Sequence, residues 1–315
     1  MSVLRWGFIG LGQMGYFMAR NLRARMPSSD ILVIQDINRD LMSKFHQETT
    51  KDGSLQVELA QNARELAEKS TVIITCLPSP PIVEELYRSM VTGHQLPRLE
   101  QERLFIDTST IDPPASRGVA NLVHKANAGQ FIDAPVSGGA VGARAGTLSF
   151  MYGAPSQSRE LLDRVESILS LMGERTWHMG DQGYGVASKL ANNYILAVNN
   201  IAVADAMSMG HHWGLDLKAL SDLVSHSTGR CWPVEVNNPV PGVVEDSPAS
   251  NDYRPGCPVS MINKDLRLAM AGARASGAST ALADKAHDVY NAVDGSFKGK
   301  DFSVVYQWLL KQSEK

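Results

Sequence analysis

In the first half of the chain and somewhat beyond it, short apolar runs alternate with segments whose apolar residues recur at helical spacing. Runs of this length predict buried strands, and the segments between them predict helices that pack on a sheet. Strands that alternate with helices indicate an α/β domain with a doubly wound parallel sheet. The predicted strands are Leu4–Ile9, Ile31–Ile34, Leu55–Val57, Thr71–Leu77, Leu104–Asp107, Phe131–Asp133, Thr147–Tyr152 and Thr176–His178.

The alternation stops after the last of these strands, and only helical periods follow. The first period is long, because Val186, Leu190, Asn193 and Ala197 lie on adjoining turns of one helix from about residue 183 to 210. We therefore expect an α/β domain over 1–181 and an all-helical domain over 182–315. The segment 236–258 is rich in Pro and Gly without a period, and a loop of that length is usually functional or disordered.

Composition and charge restrict the possible partners. The 315 residues are enough for two domains with a sizeable core, and the net charge of −3 argues against a nucleic-acid partner. No apolar run is long enough for a membrane span. The three cysteines are scattered and indicate neither a zinc site nor a disulfide framework, so no metal is expected. Since the chain enters its first strand without room for a signal peptide, we expect a cytoplasmic protein, or a mitochondrial one if a transit segment precedes this sequence.

The turn after the first strand reads Gly10-Leu11-Gly12-Gln13-Met14-Gly15. A strand, a G-x-G-x-x-G turn and a helix follow in the order of the dinucleotide fingerprint, which predicts a Rossmann-type domain. The first glycine permits the tight turn, the second lets the backbone approach a pyrophosphate, and the third lets helix and strand pack closely. The helix start offers N–H groups to the phosphates. We expect the whole turn to bind the cofactor. The alternative is an ordinary glycine-rich turn that has this sequence and binds no ligand.

An acidic residue follows the second strand at the distance that the fingerprint requires. Asp36 lies about 20 residues beyond the glycine turn, where a carboxylate accepts a hydrogen bond from the adenosine ribose. The same carboxylate repels a 2′-phosphate, which favours NAD over NADP. Arg39 nearby is the residue type that NADP enzymes use, and Asp36 can instead cap the helix that begins near Asn38.

Two further strand ends are expected at the cofactor, because ligands of an open parallel sheet lie beyond the carboxyl ends of its strands. Leu77 and Pro78 end the fourth strand and should cover the cofactor. The hydroxyls of Thr108, Ser109 and Thr110 follow the fifth strand. They can reach the nicotinamide ribose, or they can cap the helix that begins at Asp112.

A second glycine turn, Ser137-Gly138-Gly139, follows the strand that ends at Asp133. Adjacent glycines let successive N–H groups converge on an anion, and the serine adds a hydroxyl donor. The turn therefore suits a substrate carboxylate, although a tight turn between two strands explains the same letters.

Two polar residues of the long helix are candidates for catalysis. Lys189 and Asn193 lie four residues apart, hence on one face. Removal of a proton from a hydroxyl during hydride transfer needs a base, and a lysine amine can serve as one. Spacing alone equally permits a surface lysine and a buried amide.

These motifs together resemble the β-hydroxyacid dehydrogenase family. The resemblance covers the whole chain and implies the fold of 6-phosphogluconate dehydrogenase, a Rossmann-type domain followed by an all-helical domain. It also implies a small-molecule substrate and a homodimer or homotetramer. The segments that carry it, in order, are Gly7–Gly15, Phe105–Pro113, Asp133–Gly139, Gly185–Asn193 and Asn263–Leu266.

Three more segments, Ser227–Trp232, Asn238–Val243 and Lys300–Ser303, resemble the family members that oxidise 3-hydroxyisobutyrate in valine breakdown. This resemblance implies NAD-dependent oxidation of that 3-hydroxy acid to methylmalonate semialdehyde. The alternatives are a tartronate or succinic semialdehyde reductase of the same family and, in another class, an inactive nucleotide-binding interaction protein.

The resemblance also implies roles for single residues. It makes Lys189 the general acid/base and Asn193 its partner. Asp265 can pair with Lys264 or start the next helix, and we favour the structural role. The resemblance implies that Ser137, Gly138 and Gly139 bind the substrate carboxylate. The residues that it implies at the cofactor are Leu77, Pro78, Thr110 and Lys264.

Two positions depart from the family pattern. Ile82 replaces an Asn that contacts the cofactor in close relatives, so we expect that contact to be missing. Cys257 replaces a Phe near the nicotinamide, and we expect a nearby aromatic such as Trp232 or Tyr253 to compensate.

Overall fold

The computed structural model describes residues 3–51, 53, 56–254 and 256–313, so Leu55, the start of the predicted third strand, lies outside the described residues. Its strands are β1 Arg5–Ile9, β2 Ile31–Gln35, β3 Gln56–Leu59, β4 Val72–Thr75, β5 Leu104–Asp107, β6 Gln130–Asp133, β7 Val136–Ser137, β8 Leu148–Tyr152 and β9 Gly173–His178. Its α-helices are α1 Gly15–Arg25, α2 Arg39–Thr50, α3 Ala63–Lys69, α4 Pro80–Val91, α5 Pro113–Lys125, α6 Gly139–Ala145, α7 Arg159–Leu169, α8 Tyr184–His212, α9 Leu217–Ser225, α10 Trp232–Glu235, α11 Val259–Ser276, α12 Ala283–Ser296 and α13 Val305–Ser313.

The chain divides into two compact units, Met1–Lys189 and Leu190–Lys315. The division falls within α8, which begins in the first unit and continues into the second.

The first unit is built on a six-stranded parallel sheet with the order β3-β2-β1-β4-β5-β6. This is the strand order of the dinucleotide-binding fold, in which the order reverses between β1 and β4. The prediction of a doubly wound, Rossmann-type domain is confirmed. Thr75, Asp107 and Asp133 end neighbouring strands and lie in register, so the sheet carries a row of polar side chains at its carboxyl edge.

Apolar residues cover both faces of this sheet because neighbouring positions of each strand point to opposite sides. Phe8 packs with Met18 of α1 and Phe45 of α2 in one core. Ile9, the next residue, packs in a second core that includes residues of α3, α4 and α5. Strands that are buried on both faces read as continuous apolar runs, which explains why the sequence pattern predicts them well.

A second, three-stranded sheet in the first unit was not predicted. Its order is β7-β8-β9, with β7 antiparallel to β8 and β8 parallel to β9. The helix α6 between β7 and β8 was also missed, because its sequence, Gly139–Ala145, is short and rich in glycine and alanine.

The second unit is helical and has its own apolar core, as predicted. The described residues of the segment 236–258, which leave out Pro255, are packed: Asn237 and Asn238 are buried, and the Tyr253 hydroxyl donates to the Pro239 carbonyl at 2.8 Å. Short backbone turns, such as the 3-10 helix Ala249–Asn251, and side-chain hydrogen bonds order it, which explains the lack of period. Among the helices of the described residues, none is long and apolar enough to cross a membrane.

Candidate active site

The glycine turn between β1 and α1 has the backbone that the fingerprint predicts. Gly10 has a φ of 95°, and a Cβ at this position would overlap the carbonyl of Cys76. A Cβ at Gly15 would overlap the carbonyl of Gly10. Both glycines are therefore required by the fold itself, since the first makes the turn and the third lets α1 pack against it.

Gly12 differs from both, because nothing lies within 4 Å of its Cβ position and the residue is exposed. The fold does not need a glycine there. Open space above an exposed backbone, beside the start of α1, is what a pyrophosphate requires for close approach. The residues present thus fit a dinucleotide at this turn.

Asp36 contacts the glycine turn and is not a helix cap. Its Oδ2 accepts from the Leu11 N–H at 2.6 Å and its Oδ1 from the Asn38 N–H at 2.8 Å, while Asn38 caps α2. The Arg39 guanidinium donates to the carbonyls of Ala60, at 3.1 Å, and of Gln61. Arg39 is thereby held at the end of β3.

The Ser109 hydroxyl links the residues that follow the carboxyl ends of β4 and β5 by hydrogen bonds. The Leu77 N–H donates to Ser109 Oγ at 2.8 Å, and Ser109 Oγ donates to Asp107 Oδ1 at 2.6 Å. Thr108 Oγ1 donates to the Thr75 carbonyl at 2.7 Å. Two of the three predicted hydroxyls are therefore bonded within the sheet edge, which sets the position of the Leu77 backbone.

Thr110 follows these two residues and is half-buried, while Pro78 is exposed beside Leu77. The helix α5 is capped by Asp112, whose Oδ1 accepts from the Ala115 N–H at 2.9 Å. The capping alternative for Thr108 to Thr110 is therefore wrong.

The turn Ser137-Gly138-Gly139 leads from β7 into α6. Gly138 and Gly139 have φ values of 132° and 61°, which favour glycine. No atom lies within 4 Å of the Cβ position of Gly139, and both glycines are exposed. The turn therefore connects a strand to a helix, and its backbone is accessible to a ligand.

The start of α8 is held by a carboxylate that the sequence analysis did not single out. Asp133 Oδ1 accepts from the Gly183 N–H at 2.8 Å and the Gln182 side chain at 2.7 Å, and its Oδ2 accepts from the Val186 N–H at 2.8 Å. Burial raises the pKa of the Asp133 carboxyl to about 6; the N–H groups of Gly183 and Val186 oppose this rise, and the charge of Asp107 adds to it.

This raised pKa predicts how the stability contribution of Asp133 depends on pH. Because the pKa of about 6 in the folded state exceeds the ordinary 3.8, the folded protein binds this proton more tightly than the unfolded chain. The contribution is fully present below about pH 4 and is lost as the pH rises through 6, a change of roughly 3 kcal/mol.

We expect the free energy of unfolding of the wild type, relative to Asp133→Asn, to fall over that pH range. Urea unfolding of both proteins at a series of pH values measures it. A difference between the two proteins that stays constant with pH would contradict the raised pKa.

Lys189 and Asn193 are both buried, with 7% and 6% of their surface exposed, so the alternative of a surface lysine is wrong. The Asn193 amide donates to Asp265 Oδ2 at 2.7 Å and accepts from Asn192 Nδ2 at 3.0 Å. The burial of an ammonium side chain is costly and points to a role that needs it there.

The sequence favoured a position for Asp265 at the start of a helix. Asp265 instead lies inside α11. Its Oδ1 pairs with the Lys264 ammonium at 3.2 Å, and its Oδ2 accepts from Asn193. One buried carboxylate thus joins two residues that the resemblance implies at the site. The motif N-K-D-L contains the signal, but spacing cannot show which partner an acidic residue takes.

The two positions that depart from the family pattern, Ile82 and Cys257, belong to different units. Ile82 is exposed on α4. Cys257 is half-buried in the second unit, and its N–H donates to Asp301 Oδ2 at 2.8 Å. Tyr253 is bonded within the loop through its hydroxyl, which leaves it a structural role, whereas Trp232 is 46% exposed.

Three carboxylates were missed or misassigned from the sequence: Asp107 and Asp133 in the first unit, and Asp265 in the second. Asp107 and Asp133 each end an apolar strand. Because a buried carboxylate needs hydrogen-bonding partners, an acidic residue at such a position indicates that another segment contacts the strand end. Within the described residues, no group of His, Cys, Asp and Glu is arranged to hold a metal ion.

Comparison with family models gives a match over almost the whole chain. Residues 5–180 match the NAD binding domain of 6-phosphogluconate dehydrogenase. Residues 183–309 match a model described as NAD-binding of NADP-dependent 3-hydroxyisobutyrate dehydrogenase. The two matches meet just before α8.

Individual proteins that are similar to this chain over nearly its whole length are 3-hydroxyisobutyrate dehydrogenases. The chain is 38% identical to a probable mitochondrial 3-hydroxyisobutyrate dehydrogenase of Dictyostelium discoideum, over 97% of this chain and 90% of the relative. It is 38% identical to the mitochondrial 3-hydroxyisobutyrate dehydrogenase of Mus musculus, over 97% and 87%. Its structure resembles that of Mycobacterium tuberculosis 3-hydroxyisobutyrate dehydrogenase solved with L-serine, with a TM-score of 0.85, 35% identity and coverage of 98% and 99%.

Proposed function

Because the chain belongs to the 3-hydroxyisobutyrate dehydrogenase family, we propose that it catalyses the NAD-dependent oxidation of 3-hydroxyisobutyrate to methylmalonate semialdehyde. The observation that carries the proposal is the burial of Lys189 four residues before the buried Asn193 on α8. Because burial of an ammonium side chain is costly, its position beside Asn193 supports a catalytic role over an inactive nucleotide-binding protein.

The cofactor in this proposal is NAD, with its pyrophosphate on the turn from Gly10 to Gly15 and its adenosine ribose at Asp36. NAD supplies the hydride acceptor when bound. Asp36 disfavours a 2′-phosphate by its charge, and Arg39 is occupied by two carbonyls of the β3 exit. Both features favour NAD over NADP, although the family model of the second half is described with NADP.

The remaining groups bind and orient the substrate. The N–H groups and hydroxyl of Ser137, Gly138 and Gly139 bind its carboxylate. The Lys189 amine accepts the proton of the substrate hydroxyl, and returns it to the oxygen in the reverse direction. Asn193 uses one N–H for Asp265 and has a second with which to align that oxygen.

Leu77, Pro78, Thr110 and Lys264 complete the proposed cofactor contacts. Leu77 and Thr110 flank the hydrogen-bonded β4 and β5 exits. Lys264 contributes a positive charge that Asp265 holds in place. This assignment of Lys264 rests on the family motif.

Steady-state kinetics over a panel of substrates tests the proposal. The panel contains 3-hydroxyisobutyrate, L-serine, tartronate semialdehyde and succinic semialdehyde, each with NAD(H) and NADP(H). We expect the highest kcat/KM for 3-hydroxyisobutyrate with NAD. L-serine is included because it is also a 3-hydroxy acid and was solved with the M. tuberculosis relative.

Other outcomes of this panel select the rivals. A higher kcat/KM for either semialdehyde with NADPH would replace the proposal by the reductase alternative. Tight NADH binding without turnover of any hydroxy acid would instead favour a nucleotide-binding interaction protein.

We also propose a homodimer or homotetramer in the cytoplasm. The oligomer follows from the family resemblance, and light scattering that gives a monomeric mass would refute it. The eukaryotic relatives are named mitochondrial, which supports a mitochondrial location as the alternative. Cell fractionation distinguishes the two.

A further inference from the structure

We propose that Asp133 is a positioning residue for the reaction, and that its buried carboxylate sets the place of Lys189 by joining the end of β6 to the first turn of α8. This inference rests on the proposed function, because it takes Lys189 as the acid/base.

The hydrogen bonds span the beginning of the helix. Asp133 accepts from the N–H groups of Gly183, just before α8, and of Val186, in its first turn, both at 2.8 Å. The Gln182 side chain donates to the same carboxylate at 2.7 Å. Lys189 lies three residues after Val186, hence one turn further along the same face. A shift of the first turn therefore moves Lys189 as well.

The backbones of strand and helix also touch at this point. A Cβ at Gly185 would lie 2.8 Å from Asp133 Oδ2 and 2.5 Å from the Met151 carbonyl. A glycine at this position lets the helix start approach the carboxylate. Because the chain leaves Asp133 directly toward the turn Ser137–Gly139, the same residue is connected to the proposed carboxylate-binding turn and to the helix of Lys189.

Asp133 has no exposed surface, so water cannot replace a bond that is lost there. An asparagine in its place presents an N–H₂ group, which cannot accept from all three donors. The first turn of α8 must then move or leave a buried donor unsatisfied. A residue that only stabilised the fold would change the melting temperature and leave kcat unchanged.

Asp133→Asn is compared with Asp30→Asn, a matched control directly before strand β2 of the same sheet. Asp30 is also buried, with 4% of its surface exposed, and accepts from the Leu4 N–H at 3.1 Å and the Trp6 indole at 3.0 Å. These bonds lie at the amino ends of the strands, on the edge opposite to Asp133. Both variants lose a buried carboxylate, but only one loses the connection to α8.

We expect Asp133→Asn to lower kcat for 3-hydroxyisobutyrate by about 10²-fold, the cost of a displacement of roughly 1 Å of a catalytic group. The Kd for NADH, measured by fluorescence, should stay at the wild-type value. Asp30→Asn should lower the melting temperature and leave both quantities unchanged. Gln182→Ala, which removes one of the three donors, should lower kcat less and serves if Asp133→Asn does not fold.

Hydrogen exchange of the amides in 182–189, without any ligand, gives a readout that does not depend on activity. We expect faster exchange in Asp133→Asn than in the wild type and Asp30→Asn. Wild-type kcat in Asp133→Asn, or unchanged exchange of this segment, would overturn the positioning role. A wild type that is inactive on hydroxy acids while exchange changes as expected would instead refute the proposed function.

Discussion

Lys189→Ala is expected to lower kcat for 3-hydroxyisobutyrate by about 10²- to 10⁴-fold, the usual contribution of a general acid/base. The side chain is buried on α8, and its removal takes away the group that we propose to accept the hydroxyl proton. The glycine turn and Asp36 are unchanged by the substitution, so the Kd for NADH should stay at the wild-type value. Initial rates of NAD reduction and fluorescence titration with NADH measure the two quantities.

Lys218→Ala is the matched control, because Lys218 is an exposed lysine on α9. It should retain the wild-type kcat. A Lys189→Ala enzyme with near-wild-type turnover would remove Lys189 from the mechanism. If Lys189→Ala lost kcat and NADH affinity to the same extent, the substitution would be damaging the fold and not only the chemistry.

Gly12→Ala is expected to leave the fold intact and to raise the Kd for NAD by roughly 10- to 100-fold. The new methyl group meets no atom within 4 Å in the protein, so nothing in the fold opposes it. It occupies the space in which a pyrophosphate approaches the backbone, and weakens charge-assisted bonds that contribute about 1.5–3 kcal/mol. Isothermal titration with NAD and thermal unfolding measure the two effects.

Two other glycines make this prediction specific. Gly118 lies exposed inside α5 with open space around its Cβ position, and Gly118→Ala should stabilise the helix by up to about 1 kcal/mol without changing NAD affinity. Gly15→Ala should lower the melting temperature, because its Cβ overlaps the Gly10 carbonyl. If Gly12→Ala binds NAD as the wild type does, the turn is not the pyrophosphate site.

Much of the fold could be predicted from the sequence because its strands are buried on both faces. Ile31 to Ile34 and Val72 to Ile74 read as unbroken apolar runs, which is typical of strands covered on both faces. Strands β8 and β9 of the small sheet were predicted, but β7 was missed because it has only two residues, too few for a pattern. Of the two expectations for the segment 236–258, disorder is wrong, because buried asparagines such as Asn238, bonded to Ser221 at 3.0 Å, order it without any periodicity. A functional role of this segment stays a prediction.

For the candidate site as well, local motifs could be predicted from the sequence, whereas contacts between distant segments could not. Local motifs predicted the glycine turn, and the structure explains why Gly10 and Gly15 must be glycine. Contacts between distant segments could not be predicted, since Asp133 meets Val186 across a long separation in sequence and Asn193 meets Asp265 across a longer one. A polar residue at the end of a strand shows that a partner is needed, but the topology determines which partner it finds.

We propose that this protein moves a hydride from the carbinol carbon of 3-hydroxyisobutyrate to NAD. The most direct test uses substrate deuterated at that carbon, with mass spectrometry of the reduced cofactor after incubation with the wild type. We predict one deuterium in each reduced cofactor and methylmalonate semialdehyde in equal amount. Reduced cofactor without deuterium, or no reduced cofactor at all, would show that no hydride passes from this carbon to NAD.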